Sequence, residues 1–217
     1  MGALDKIFAP LAGRPLLAWS VEPFIHAPRV EHIVLVLRED VLPAGRDLVA
    51  REGWTGAVTL CPGGARRQDS VAAGLAALGP CAWVLVHDGA RPCLDAELIE
   101  AALDAAQETG AAVPGLPVAD TVKRVDASGL VRETVSRAGL WAVQTPQAFR
   151  YAILRAAYGQ PQDEATDDAA LVERLGVRVR VFPGSPGNVK VTRPPDLVLA
   201  EAVLRFRQGA GSQVASR

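Results

Sequence analysis

An excess of either charge is missing from this 217-residue sequence, in which 23 lysines and arginines face 24 aspartates and glutamates, a net −1. That balance gives no global attraction to nucleic acid or to an anionic membrane surface, so recognition of phosphate must be local. Cysteine is scarce: Cys61, Cys81 and Cys93 are odd in number and lack the paired Cys/His spacing of a zinc site. They suit a reducing, cytoplasmic setting, with Cys93 expected as a buried, inert thiol. No signal peptide opens the chain, and no uncharged apolar run is long enough to span a bilayer. Also lacking is a Gly-x-Gly-x-x-Gly after a strand, which argues against a nicotinamide-dependent Rossmann oxidoreductase. What is present is a composition 49% hydrophobic and 22% charged, that of one folded domain over 1–217.

Apolar strand-like runs alternate with helical patterns. Strands are expected at Ile33–Leu37, Ala57–Leu60, Trp83–Val86, Ala111–Val113, Arg178–Phe182 and Asn188–Val191. Helices are expected at Leu42–Glu52, Arg67–Leu78, Asp95–Glu108 (capped by Asp95), Asp167–Leu175 and from Pro194 to about Arg207. The alternation predicts an α/β, Rossmann-like, doubly wound and mostly parallel sheet. It breaks where Thr121–Val125 and Leu130–Val135 flank a Gly-containing turn, the pattern of a β-hairpin. Charge on both faces makes this an arm over about residues 117–140 that packs on a second copy, predicting a homodimer. Residues 208–217 read as a flexible polar tail.

The apolar run Trp83–Val86 ends in His87-Asp88-Gly89-Ala90-Arg91-Pro92, which places a carboxylate and a guanidinium at the carboxyl end of a strand. Ligands of open α/β sheets sit at that edge, and this pair could handle a metal or a phosphate. His87 beside it reads as a structural histidine. Gly63-Gly64 leads from a strand into the helix carrying Ser70, where glycines permit close backbone approach and helix N-terminal amides favour an anion. Thr166-Asp167-Asp168 matches a helix cap with acidic first-turn residues. Lys190, flanked by apolar residues, is expected to contact phosphate. Lys6 is ambiguous on composition alone.

In order along the chain stand Asp5-Lys6…Gly13-Arg14-Pro15-Leu16-Leu17, Gly63-Gly64…Arg67…Ser70-Val71…Gly74-Leu75, His87 to Pro92, and Asp120-Thr121-Val122-Lys123. Arg137…Leu140-Trp141…Gln144-Thr145-Pro146-Gln147, Thr166-Asp167-Asp168 and Asn188-Val189-Lys190-Val191-Thr192 follow. Together they resemble the 2-C-methyl-D-erythritol 4-phosphate cytidylyltransferases over almost the whole chain. The resemblance implies attack of a methylerythritol phosphate oxygen on the α-phosphorus of CTP, with pyrophosphate leaving and Mg²⁺ bound to the phosphates, near Asp88. It implies that Lys6 and Lys190 meet the triphosphate and that Gly63, Gly64, Ser70 and Asp88 hold the nucleotide. Arg91, Thr121, Arg137 and Lys190 would surround the acceptor phosphate and polyol, with Thr166 and Asp167 close by. Thr121 and Arg137, on the arm, would serve the partner's site.

The family pattern opens with a strand and a Gly-rich loop that this sequence lacks, Met1-Gly2 aligning with the loop's end. The expectation is that the natural start lies upstream of Met1, because amides of that loop would cradle the triphosphate and its strand would sit mid-sheet. Two other readings share much of the pattern. One is a cytidylyltransferase for another polyol phosphate, such as ribitol 5-phosphate; the other is a non-catalytic dimeric remnant.

Overall fold

The computed structural model describes residues 6–160 and 164–214, so Met1-Gly2, Asp5 and the last three residues of the predicted tail lie outside the described residues. A β-ribbon of β1 (Pro10–Leu11) and β2 (Arg14–Pro15) turns through Ala12 and Gly13, both at positive φ, 47° and 81°. Helix α1 (Leu16–His26) buries Leu16, Leu17, Ala18, Val21 and Phe24. Then come β3 (Ile33–Leu37), a 3-10 turn at Glu39–Val41, α2 (Leu42–Arg51), β4 (Val58–Pro62), α3 (Arg67–Leu78) and β5 (Trp83–Val86).

Helix α4 (Ala96–Thr109) shows how local chemistry sets an element. Asp95 accepts the Leu98 N–H at 3.0 Å as the cap, and Gly110 ends the helix at φ 84°. Its buried face, Leu98, Ile99, Ala102, Leu103 and Ala106, follows the helical period. Burial of each large aliphatic chain there stabilises by about 1.5–3 kcal/mol. After α4 the chain forms β6 (Ala111–Pro117), the hairpin β7 (Val122–Val125) and β8 (Val131–Val135), β9 (Trp141–Val143) and β10 (Gln147–Arg150). It closes with α5 (Tyr151–Tyr158), α6 (Asp168–Glu173), β11 (Arg180–Pro183) and α7 (Pro194–Val214). Helix α7 runs about two turns past Arg207, where the sequence pattern ended it.

One sheet has the order β11–β6–β10–β5, with β9 also on β6. Strands β3 and β4 pair in parallel by themselves, and β6–β11 is parallel. Strand β10 runs antiparallel between β5 and β6. It does so because the chain leaves along β6, makes the arm, and returns alongside β6 as β9 and then β10. Pro146, with no N–H to give the ladder, stands between the two returning strands. Among the described residues no strand lies between β3 and β5. Leu35 and Leu37 pack in one core cluster, under α1 and α2, while Val84 packs in another, under α5 and α6.

Strands β7 and β8 pair only with each other. Val125, Leu130 and Val131 are more than half exposed on them, the arm expected from the sequence. The strand predicted at Asn188–Val191 does not form. Its backbone bonds go to its own turn, Val189 N–H to Gly187 O at 2.9 Å, and to the Asp88 loop, Val191 N–H to Ala90 O at 2.8 Å. No helix among the described residues is long and apolar enough to cross a membrane.

Candidate active site

Asp88 leaves the carboxyl end of β5 and collects cations from three segments. Lys190 Nζ stands 2.8 Å from its Oδ2, Arg91 Nε 3.5 Å from the same oxygen, and Arg67 Nε 3.8 Å from Oδ1. Burial alone would raise the Asp88 carboxyl, but Lys190, Arg67 and Arg91 together hold it below the ordinary carboxylate value. Burial pulls the Arg91 guanidinium down, with Asp88 opposing. Three positive groups on one carboxylate leave an anion-seeking cleft of about 130 Å³, lined also by Gln144, Gln147, Thr166 and Asp167. A larger groove of about 420 Å³ lies along α7 at Val203 and Phe206 and is mostly apolar, with none of the candidate residues.

The loop carrying Asp88 and Arg91 is held from below. The Asp88 N–H donates to Thr145 Oγ1 at 3.1 Å, and that hydroxyl in turn meets His87 Nδ1 at 3.1 Å. With Thr145 as donor, His87 Nε2 carries the proton and faces the Arg91 carbonyl at 3.4 Å. Burial lowers His87 to about 4, so it is a neutral brace at working pH. Arg91 Nη1 donates to the Asn188 carbonyl at 2.9 Å. Asn188, itself buried, donates to the Thr145 carbonyl at 2.8 Å. Gln144 ties in the same loop, donating to Ser185 O at 3.0 Å and accepting its N–H at 3.2 Å. A side chain on Gly184 would come within 2.6 Å of Gln144 Oε1, so only glycine leaves room there. Buried amides thus hold the Lys190 loop over the Asp88 loop without a strand ladder.

Of the residues predicted from sequence, Asp88, Arg91, Thr166, Asp167 and Lys190 meet in this cleft. Asp167 is occupied there: Oδ1 accepts the Ala170 N–H as the α6 cap at 2.9 Å, and Oδ2 accepts Gln147 Nε2 at 2.8 Å. Gly63 and Gly64 form a separate turn before α3, closed by Ser70 of that helix, whose Oγ accepts the Gly64 N–H at 3.1 Å. Thr121 and Arg137 are exposed on or beside the arm, Arg137 donating to the Ala119 carbonyl. Lys6 is not among the cleft-lining residues; it precedes Ile7 and Phe8, which pack on the cluster under α1 and α2. Cys93 is fully buried, and burial pushes its thiol up to about 11.

The sequence assigned no role to Arg67, Gln144, Thr145 or Gln147, although all four line the cleft. Position gave a signal for Arg67, which opens a helix after a glycine turn. The others sit in a Gln-Thr-Pro-Gln run that reads as a loop.

An α/β sheet with two arginines and a lysine gathered round a carboxylate where β5 ends belongs to the nucleotidyltransferase class, whose chemistry is the handling of phosphates. The family model for 2-C-methyl-D-erythritol 4-phosphate cytidylyltransferase (IspD) matches residues 2–206, and the chain belongs to that family. A 2-C-methyl-D-erythritol 4-phosphate cytidylyltransferase of Dehalococcoides mccartyi is 46% identical over 94% of this chain and 90% of its own length. The crystal structure of the one from Thermus thermophilus is 39% identical, with a TM-score of 0.79 over 94% of this chain and 95% of its own. The 4-diphosphocytidyl-2C-methyl-D-erythritol synthase of Anaerococcus prevotii is 29% identical, with a TM-score of 0.84 over 93% and 94%.

Proposed function

We infer that the cleft transfers the cytidylyl group of CTP to 2-C-methyl-D-erythritol 4-phosphate. A phosphate oxygen of the acceptor forms the new bond to the α-phosphorus, the bond to the β-phosphate oxygen breaks, and pyrophosphate leaves. Catalysis of this kind rests on in-line positioning and on fixed cations that meet the developing charge. The observation that carries the reading is the convergence of Lys190, Arg91 and Arg67 on Asp88. Lys190 is the most exposed cation of the set, its side chain 45% exposed, and is positioned to leave Asp88 for a phosphate oxygen. Arg91, clamped by Asn188 O, is a fixed one for the acceptor phosphate. Lys6, Gly63, Gly64 and Ser70 keep the nucleotide roles that the family pattern implies for them.

Mg²⁺ fits this donor set as a phosphate-bound ion. Among the described residues no three carboxylate, histidine or cysteine side chains converge on a metal position. Asp167 has both oxygens engaged, which leaves Asp88 to supply a protein oxygen. When bound, the ion neutralises phosphate charge during the transfer.

The arm supports a homodimer. Val125, Leu130 and Val131 are exposed apolar groups on a hairpin whose strands pair only with each other, and Trp141 is exposed beside it on β9, a surface that a second copy would bury. Thr121 and Arg137 then belong to the partner's cleft. The free cysteines Cys61, Cys81 and Cys93 fit a cytoplasmic enzyme.

Rates with CTP and either methylerythritol 4-phosphate or ribitol 5-phosphate test the acceptor. The expected result is a large preference for methylerythritol phosphate; equal rates, or a preference for ribitol phosphate, would overturn it.

A further inference from the structure

Behind the cleft wall, Arg67 is joined to two groups with no place in the transfer so far, the buried Asp168 and the half-buried Tyr158. Tyr158, the last residue of α5, donates its hydroxyl to Asp168 Oδ1 at 2.5 Å. Arg67, the first residue of α3, donates Nη2 to Asp168 Oδ2 at 2.6 Å. Asp168, the first residue of α6, is fully buried, so both of its oxygens need partners, and these two supply them. Burial raises the Tyr158 hydroxyl and Asp168 raises it further, so the phenol stays a donor.

Arg67 stands between two carboxylates. Asp168 holds it at 2.6 Å from inside the protein, while Asp88 faces its Nε at 3.8 Å from the cleft. A guanidinium is a rigid planar fork, so gripping one edge fixes where the other N–H groups point. Its third nitrogen, Nη1, donates no hydrogen bond to any described residue. Without the inner grip, no other contact among the described residues would keep the guanidinium from closing on Asp88 and withdrawing a cation from the substrate.

We infer that Tyr158 and Asp168 are positioning residues of the reaction, fixing the Arg67 guanidinium so that its unused N–H groups are presented to the anionic substrate. The inference rests on the cleft being the cytidylyl-transfer site. Among the described residues Tyr158 makes no hydrogen bond to a cleft-lining group; it acts through Asp168, and Asp168 through Arg67.

The test is a double-mutant cycle on the full chain, with Tyr158→Phe, Arg67→Ala and the two combined. Tyr158→Phe should lower kcat/KM about tenfold in the parent and cause no further loss beside Arg67→Ala, because the tyrosine works through the arginine. Equal losses in both backgrounds would mean that Tyr158 serves only stability, and would overturn the inference. Asp168→Asn should follow Tyr158→Phe in direction.

A second readout needs no turnover. In ¹⁵N spectra of the guanidinium groups, Arg67 should show separate, slowly exchanging Nη signals in the parent and averaged ones in Tyr158→Phe. The same averaged signals in both proteins would overturn the clamp. A parent chain without turnover would refute the reaction reading and any catalytic role for the clamp, while the arginine signals would still decide whether the clamp exists.

Discussion

Lys190 Nζ sits 2.8 Å from Asp88 Oδ2, joining the loop after β5 to the loop before α7 across the mouth of the cleft. Nothing buries this lysine deeply, so replacing it should cost function far more than stability. Lys190→Ala is expected to lower kcat/KM about a hundredfold, the scale for loss of one preorganised charge contact, with the melting temperature nearly unchanged. Steady-state kinetics beside calorimetry would check this. A variant that melts early and loses rate in proportion would refute it.

Burial of His87 makes stability depend on pH in a definite direction. Its value falls from 6.5 to about 4 on folding, so the unfolded chain binds the extra proton first. Stability from this group is full above pH 6.5 and is lost as pH falls toward 4, by about 1.4 kcal/mol per pH unit at most. His87→Gln keeps hydrogen-bonding groups at the position without a titrating ring. Urea titrations at pH 6.5 and 4.5 should show a smaller loss for this variant than for the parent. Equal losses would contradict the assignment.

Gly64 tests the turn before α3. A Cβ there would come within 2.3 Å of Asp69 Cβ and 3.3 Å of the Asp69 backbone, atoms that belong to the first turn of α3. Gly64→Ala is expected to destabilise by about 1–3 kcal/mol, as overpacking does, and to weaken CTP binding. Denaturant unfolding and calorimetric titration with CTP measure the two effects separately.

Much of this was legible in the sequence. Asp95 announced the start of α4, and the apolar run ending at Asp88 announced the strand edge that carries the site. Strand β10 was not legible, since Gln147–Arg150 shows no clear alternation and becomes a strand through its place between β5 and β6. Asn188–Val191 failed the other way, because its apolar alternation packs Val191 against α7 rather than building a ladder. Asp168 read as one more acidic first-turn residue; its burial against Arg67 and Tyr158 joins positions far apart in sequence, and local pattern carries no trace of it.

The arm makes a prediction about shared sites. If Thr121 and Arg137 act in the partner's cleft, Arg137→Ala and Lys190→Ala damage sites contributed by different subunits. Mixing and reassembling the two inactive proteins should restore about a quarter of parental activity, since about half of the dimers would be mixed, each with one intact site of two. No recovery, with mixed dimers confirmed by native mass spectrometry, would place Arg137 in its own chain's site or in none.

The most direct test is a ³¹P NMR time course of the purified chain with CTP, 2-C-methyl-D-erythritol 4-phosphate and Mg²⁺, beside its Lys190→Ala variant. The parent is expected to convert the CTP signals into those of pyrophosphate and a new diphosphate diester in equal amounts, and the variant to do so far more slowly. Unchanged CTP signals with the parent, or orthophosphate in place of pyrophosphate, would contradict it.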